Sequence, residues 1–207
     1  MEIAVLLFEG VTALDAVGPI EVLGRLPGAE VKLVAKERGA LRAGASSSRM
    51  GLIADYRLAE VETPRILVVP GGLGTRKLVH DRELCQWIRD VHHQTEWTAS
   101  VCTGALLLGA AGVLDGVEAT THWRVHDRLK EYGAKPRRRR VVVDGKIVTA
   151  AGVSAGIDMA LHLAGLIAGE ERASAIQLQL EYDPNPPFDC GHPSKASEEV
   201  LRLIDLP

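Results

Sequence analysis

This sequence predicts an open α/β sheet, on three observations. Short β-branched runs alternate with helix-period segments along the chain. The first run, Ile3-Ala-Val-Leu-Leu-Phe8, is unbroken by any polar residue, as in a strand buried on both faces. The 207 residues fit one domain better than two, and such a domain buries roughly 70% of its unfolded surface without disulfides or metals.

The elements follow in order. Residues 2–8 read as the first strand. Residues 16–25 read as a short helix, with Asp15 as its N-cap. Residues 30–35 form a second strand, and the Gly/Ser-rich stretch 39–56 a hairpin or a wandering edge. Residues 65–69 form a β-branched strand ending in Pro70-Gly71-Gly72. An amphipathic helix covers 81–93, with Leu84, Cys85, Ile88 and Val91 at helical spacing; His92 and His93 at its end read as solvent-facing. A strand at 95–101 runs directly into an uncharged helix at 104–111. Residues 118–121 are extended and 123–132 helical. Asp144-Gly145 between the β-rich runs 139–143 and 146–150 predicts a hairpin. Helices follow at 154–168 and 170–182. The tail 183–193 carries four prolines and must be extended, and 197–204 closes with a short helix. The chain therefore reads as one domain over 1–207, with a short C-terminal extension from about 193.

Composition excludes several functions. Apolar residues make up 46% and the net charge is −3, so neither nucleic acid nor an anionic membrane is expected as a partner. The basic run Arg137–Arg140 lies in an acidic chain beside β signals and does not change that. The N-terminal apolar run lacks a basic leader and a cleavage-site pattern, and no apolar run reaches the length of a membrane span. Three cysteines at wide spacings, Cys85, Cys102 and Cys190, argue against a disulfide framework and a zinc site. Cys85 reads as core and Cys190 as exposed. His80, His126, His162 and His192 lack Cys or acidic partners at metal spacing. The expectation is a cytoplasmic protein with no cofactor.

Chemistry centres on Ser100-Val-Cys102-Thr-Gly104, where a strand meets a helix of small residues. That is the pattern of a nucleophile elbow, with cysteine in the serine position. The turn strains its central residue, so the residues two places away must be small; Ser100 and Gly104 are. A sulfur at a helix N-terminus is expected to have a lowered pKa. The competing reading is a core cysteine. Pro70-Gly71-Gly72 ends a neighbouring strand, on the side where ligands bind in such sheets. The Gly72 and Thr103 amides would form an oxyanion-type pocket there, unless the loop is a plain tight turn. Asp15 is either an N-cap or a carboxyl exchanging protons with the substrate of the sulfur. His122 either hydrogen-bonds near the site or is structural, and Glu21 reads as a solvated helix residue.

Three motifs carry a resemblance. Ile66-Leu-Val-Val-Pro-Gly-Gly72, Ser100-Val-Cys-Thr-Gly104 and Gly145-Lys-Ile-Val-Thr-Ala-Ala-Gly152 resemble, in order and spacing, the ThiJ/PfpI superfamily of class I glutamine amidotransferase-like domains. The likeness spans roughly residues 2–192. It implies a flavodoxin-like fold: an open, mostly parallel sheet with helices on both faces. Asp15-Ala-Val-Gly-Pro-Ile-Glu-Val22, Thr120-Thr-His-Trp123, Ser154-Ala-Gly-Ile-Asp158 and Tyr182-Asp-Pro-Asn-Pro-Pro-Phe-Asp189 resemble the isonitrile hydratase branch. The resemblance implies Cys102 as catalytic cysteine, Asp15 as the nearby acid, Thr103 in support, a homodimer and no metal cofactor. Thr103 stands where PfpI-type peptidases carry histidine, so a Cys-His peptidase is not expected. Asp15 stands where the glyoxalase and deglycase branches carry glutamate, which weakens those activities. The same core occurs in AraC-type regulators, but only a short tail follows residue 192, so a regulator is not expected.

The function implied is hydration of an isonitrile to an N-formamide through a Cys102 thioimidate, with a small molecule as partner. Two alternatives stay open: a cysteine amidase or hydrolase acting on another small electrophile, and a non-enzymatic redox sensor using Cys102.

Overall fold

The computed structural model describes residues 1–44 and 50–204. Its first half contains strands β1 (Glu2–Leu6), β2 (Glu30–Ala35), β3 (Gly39–Arg42), β4 (Gly51–Ala54), β5 (Tyr56–Arg57) and β6 (Ile66–Val69). Helices α1 (Ala13–Leu23), α2 (Thr75–Leu78) and α3 (Arg82–Gln94) accompany them. The second half holds β7 (Trp97–Val101), α4 (Gly104–Ala110), β8 (Glu118–Ala119), β9 (Lys135–Pro136), β10 (Val141–Asp144), β11 (Ile147–Ala150), α5 (Ala155–Ala168), α6 (Glu170–Gln179) and α7 (Glu198–Ile204).

Among the described residues the main sheet has the order β10-β11-β7-β6-β1-β2-β5, and every pairing in it is parallel except that of β10 with β11. This is the open, mostly parallel α/β fold that the sequence predicts. Side chains alternate across β1. Ile3 and Val5 join a core with Ala16 and Leu23 of α1 and Met159 and Leu163 of α5. Ala4 and Leu6 face the other way, into a core with Leu84 and Ile88 of α3 and Leu107 of α4. Both faces are covered, which is why β1 has no polar interruption.

Helices α1 and α5 meet through glycines. A Cβ on Gly18 would lie 3.0 Å from Ile157, and one on Gly156 would lie 3.1 Å from Val101. This close approach holds the first turn of α1 against the sheet, where Asp15 lies.

The structure changes several expectations. Helix α1 starts at Ala13, three residues earlier than predicted, and Thr12 is its N-cap. Asp15 is therefore inside the first turn and not a cap, a position that the helix dipole also favours for an acid. Asp81 does act as a cap, its Oδ1 accepting the Leu84 N–H at 3.1 Å. In the predicted hairpin, Asp144 pairs with Ile147. The loop is thus Gly145-Lys146, one residue later than read, with Gly145 at φ +57°. His92 is not solvent-facing: its Nδ1 lies 2.9 Å from Thr98 Oγ1, and burial, then Lys146, push its pKa down to about 4. Stretch 39–56 holds the antiparallel β3–β4 pair and the edge strand β5; residues 45–49 of it lie outside the described residues. Strand β8 falls in the extended stretch 118–121, while helix α2 and β9, the partner of β8, carried too little periodicity to be read.

Candidate active site

The C-terminal ends of β1, β6 and β7 converge on one point. Strand β7 ends at Val101, and Cys102 follows with φ +56°, one of two described non-glycine residues with positive φ. The strain is held in place from several sides. The Cys102 N–H donates to Ala151 O at 2.8 Å, and Thr121 Oγ1 donates to Cys102 O at 2.7 Å. Gly104 starts α4 where a Cβ would stand 2.0 Å from Val69 O, so only glycine passes. This is the elbow the sequence predicts. Thr121, which fixes it, was not singled out; its place in Thr120-Thr-His-Trp123 was the available signal.

The structure brings Asp15, Gly71 and Thr103 around Cys102. Asp15 is fully buried, and its Oδ2 accepts the Gly71 N–H at 3.0 Å. Gly71 is wedged between the other two: a Cβ there would lie 2.5 Å from Thr103 N and 2.8 Å from Asp15 Oδ2. The Gly72 N–H donates to Thr103 Oγ1 at 2.9 Å, and Thr75 Oγ1 donates to Gly72 O at 2.7 Å. Of the two amides expected to form an oxyanion pocket, that of Gly72 is engaged by Thr103 Oγ1, while that of Thr103 lies at the Cys102 sulfur. The Thr103 hydroxyl faces that loop and ties it to the elbow. Thr75 takes part in the tie and was not visible in the sequence, since α2 was not.

The electrostatics also differ from expectation. Burial, and after it the Asp15 charge, push the Cys102 thiol up to about 12; the Thr103 and Val153 amides at the sulfur oppose this only in part. The predicted lowering by a helix N-terminus loses, because desolvation and a facing carboxylate outweigh the dipole of a seven-residue helix. Burial likewise pushes Asp15 up to about 6, against the Gly71 N–H and the thiol. The two groups are close enough to shift one another, yet Asp15 Oδ1 is buried with no directed hydrogen-bond partner among the described residues. Both shifts favour the neutral forms, with the carboxyl remaining the more acidic of the two. A carboxylate oxygen without a partner among the described residues thus stands beside the nucleophile.

A cleft of about 600 Å³ opens beside the elbow, lined by Thr121, His122 and Val153 on its inner side and by Pro186 and Phe188 of the C-terminal tail. His122 is half-buried with its pKa lowered by burial and then by Arg124; its ring packs on Gly152, whose Cβ would meet it at 2.9 Å. A larger cavity of about 950 Å³ lies over Phe8, Lys36 and Leu41 and includes neither Cys102 nor Asp15. The smaller cleft is not lined by them either, but Thr121 and Val153 on its wall both contact Cys102. Cys85 is buried and Cys190 exposed, and Glu21 is exposed and paired with Arg25. Among the described residues no three His, Cys, Asp or Glu side chains form a metal-binding group, and no helix is long and apolar enough to cross a membrane.

Comparison with known proteins agrees with this fold. The family model described as "DJ-1/PfpI family" matches residues 1–165. The chain belongs to the DJ-1/PfpI family. Within it, the chain is 43% identical over 201 residues to an isonitrile hydratase of Pseudomonas putida, covering 97% of this chain and 87% of that protein. A ThiJ/PfpI family protein from Pseudomonas syringae superposes with a TM-score of 0.94 at 35% identity, covering 98% of this chain and 84% of the other. Oxidized DJ-1 of Toxoplasma gondii superposes at 0.76 with 27% identity, covering 88% and 99%. The strong likeness to one enzyme runs over nearly the whole chain, including the tail that lines the cleft.

Proposed function

We propose that this protein hydrates an isonitrile to an N-formamide, with Cys102 as nucleophile and Asp15 as proton carrier. One observation carries the reading: the fully buried Asp15 carboxyl stands at the Cys102 sulfur, with one oxygen held by the Gly71 N–H and the other without a hydrogen-bond partner among the described residues. Isonitrile hydration needs that arrangement, because one carbon must receive both the sulfur and a proton.

The Cys102 sulfur attacks the terminal carbon as Asp15 takes the thiol proton. Asp15 then delivers that proton to the same carbon, giving R–N=CH–S–Cys102. Water adds to this carbon while its proton passes through Asp15 to nitrogen. The sulfur leaves, takes back the hydroxyl proton, and R–NH–CHO is released. Thr103 holds the Gly71-Gly72 loop, and through it the Asp15 carboxylate, in register with the sulfur. General acid–base transfer of this kind contributes typically about 10²- to 10⁴-fold. The reading takes the protein as a homodimer that needs no cofactor.

Amide hydrolysis finds less support, because an acyl-transfer site uses paired donors for an oxyanion, and of the Gly72 and Thr103 amides the first is engaged by Thr103 Oγ1. A redox sensor also finds less, because a buried thiol pushed up to about 12 is a poor target for peroxide. The test is to supply cyclohexyl isocyanide and follow formamide production. Turnover by the native protein and its loss in Cys102→Ala are expected. No native turnover, or undiminished turnover in Cys102→Ala, would overturn the reading.

A further inference from the structure

The cleft beside Cys102 has a charge pattern that hydration alone does not require. Arg138, Arg139, Arg140 and Lys195 all line it, against the single carboxylate of Asp189. Two of these cations are answered locally: Arg140 pairs with Asp158, and Lys195 with Asp189. Arg138 and Arg139 form no ion pair among the described residues. The carboxylates nearest to them are committed elsewhere, Asp127 to Lys130 and Glu118 to Arg137. Two guanidinium groups without an ion pair among the described residues, attracted only at longer range by Asp127 and Glu118, therefore stand at the cleft in a protein whose net charge is −3.

A second observation is independent of the arginines. His126 lines the same cleft and is only 7% exposed, yet neither of its ring nitrogens has a hydrogen-bond partner among the described residues. Buried polar groups are normally paired, and an imidazole always carries at least one N–H to donate. An unsatisfied buried donor beside two unpaired guanidinium groups is a site for an acceptor with negative charge. Guanidinium binds carboxylate with two parallel hydrogen bonds, and a cleft lined by one sign of charge draws the opposite sign in.

The cleft is also continuous with the chemistry. Val153 and Thr121 line it, and both touch Cys102: the Val153 amide opposes the rise of the thiol pKa, and Thr121 holds the Cys102 carbonyl. Its volume of about 600 Å³ is that of a small-molecule site.

We propose that the substrate is an isonitrile bearing a carboxylate, and that Arg138, Arg139 and His126 recognise that carboxylate while the isonitrile carbon meets Cys102. The inference rests on the hydratase reading and names its substrate class.

The test compares isocyanoacetate with its methyl ester, which share the reacting carbon and differ in charge. Charge-assisted hydrogen bonds of this kind give a preference of roughly 10- to 100-fold in kcat/KM for the acid. That acid-to-ester ratio should fall at least about tenfold in the double variant Arg138→Ala/Arg139→Ala, and in native protein should fall with added salt. An ester used as well as the acid by the native protein, or a ratio unchanged in the double variant, overturns the carboxylate site and leaves the hydratase reading standing. Turnover of neither compound overturns the hydratase reading instead. The site is then judged by binding of N-formylglycinate against its methyl ester: preference for the anion supports it, and no preference overturns it.

Discussion

Replacing Asp15 by Asn keeps an acceptor for the Gly71 N–H and removes a buried charge. The carboxyl titrates at 3.8 when unfolded and at about 6 when folded. Between those values the folded chain holds a proton that the unfolded chain has lost. Stability therefore falls as pH rises through this window, and above about 6 the full cost is in place. At 1.36 kcal/mol per pH unit the cost is about 3 kcal/mol at pH 7. Near pH 4 it shrinks to about 0.5 kcal/mol, because that pH lies only just above the unfolded pKa and most of the window is still to be crossed. Asp15→Asn should thus stabilise the fold by up to about 3 kcal/mol at pH 7 and hardly at all near pH 4. Urea denaturation of both proteins at the two pH values measures this, with each protein its own control. A gain of equal size at both pH values would trace to packing and not to charge. Absence of any gain at pH 7 would refute the placement of an ionised Asp15 in a desolvated site.

The same variant should free the thiol. Losing the Asp15 charge should lower the pH midpoint of Cys102 alkylation by about one to two pH units, read by peptide mass spectrometry because exposed Cys190 also reacts. An unchanged midpoint would mean that the carboxylate does not act on the sulfur. Gly71→Ala should reduce formamide production at least about 100-fold while costing about 1–3 kcal/mol of stability, since its Cβ would press on both Thr103 and Asp15; near-native turnover in steady-state assay would show that the loop does not set their register.

Much of the fold was legible because its signals are local. Buried parallel strands must be apolar on both faces, so β1 and β6 announced themselves, and α3 announced itself through its single apolar face. The short elements α2 and β9 were not legible, because each is held by tertiary contact and has no period of its own. The elbow was legible for a steric reason: a strained Cys102 requires small residues at 100 and 104. Asp15 was ambiguous, because an acid at the start of a helix is favoured both as a cap and inside the first turn.

The sequence by itself determined that a cysteine stands on a strained strand–helix turn beside a Gly-Gly loop. Those features follow from backbone sterics, which act between residues close in the chain. Only the tertiary structure decided the state of the site. Asp15 and Gly71, 56 residues apart, meet at one hydrogen bond, and burial there raises the pKa of carboxyl and thiol together. A thiol whose pKa the helix N-terminus was expected to lower is instead pushed up by burial and by the facing carboxylate. Desolvation is a property of everything packed around a group, and no short stretch of sequence contains it.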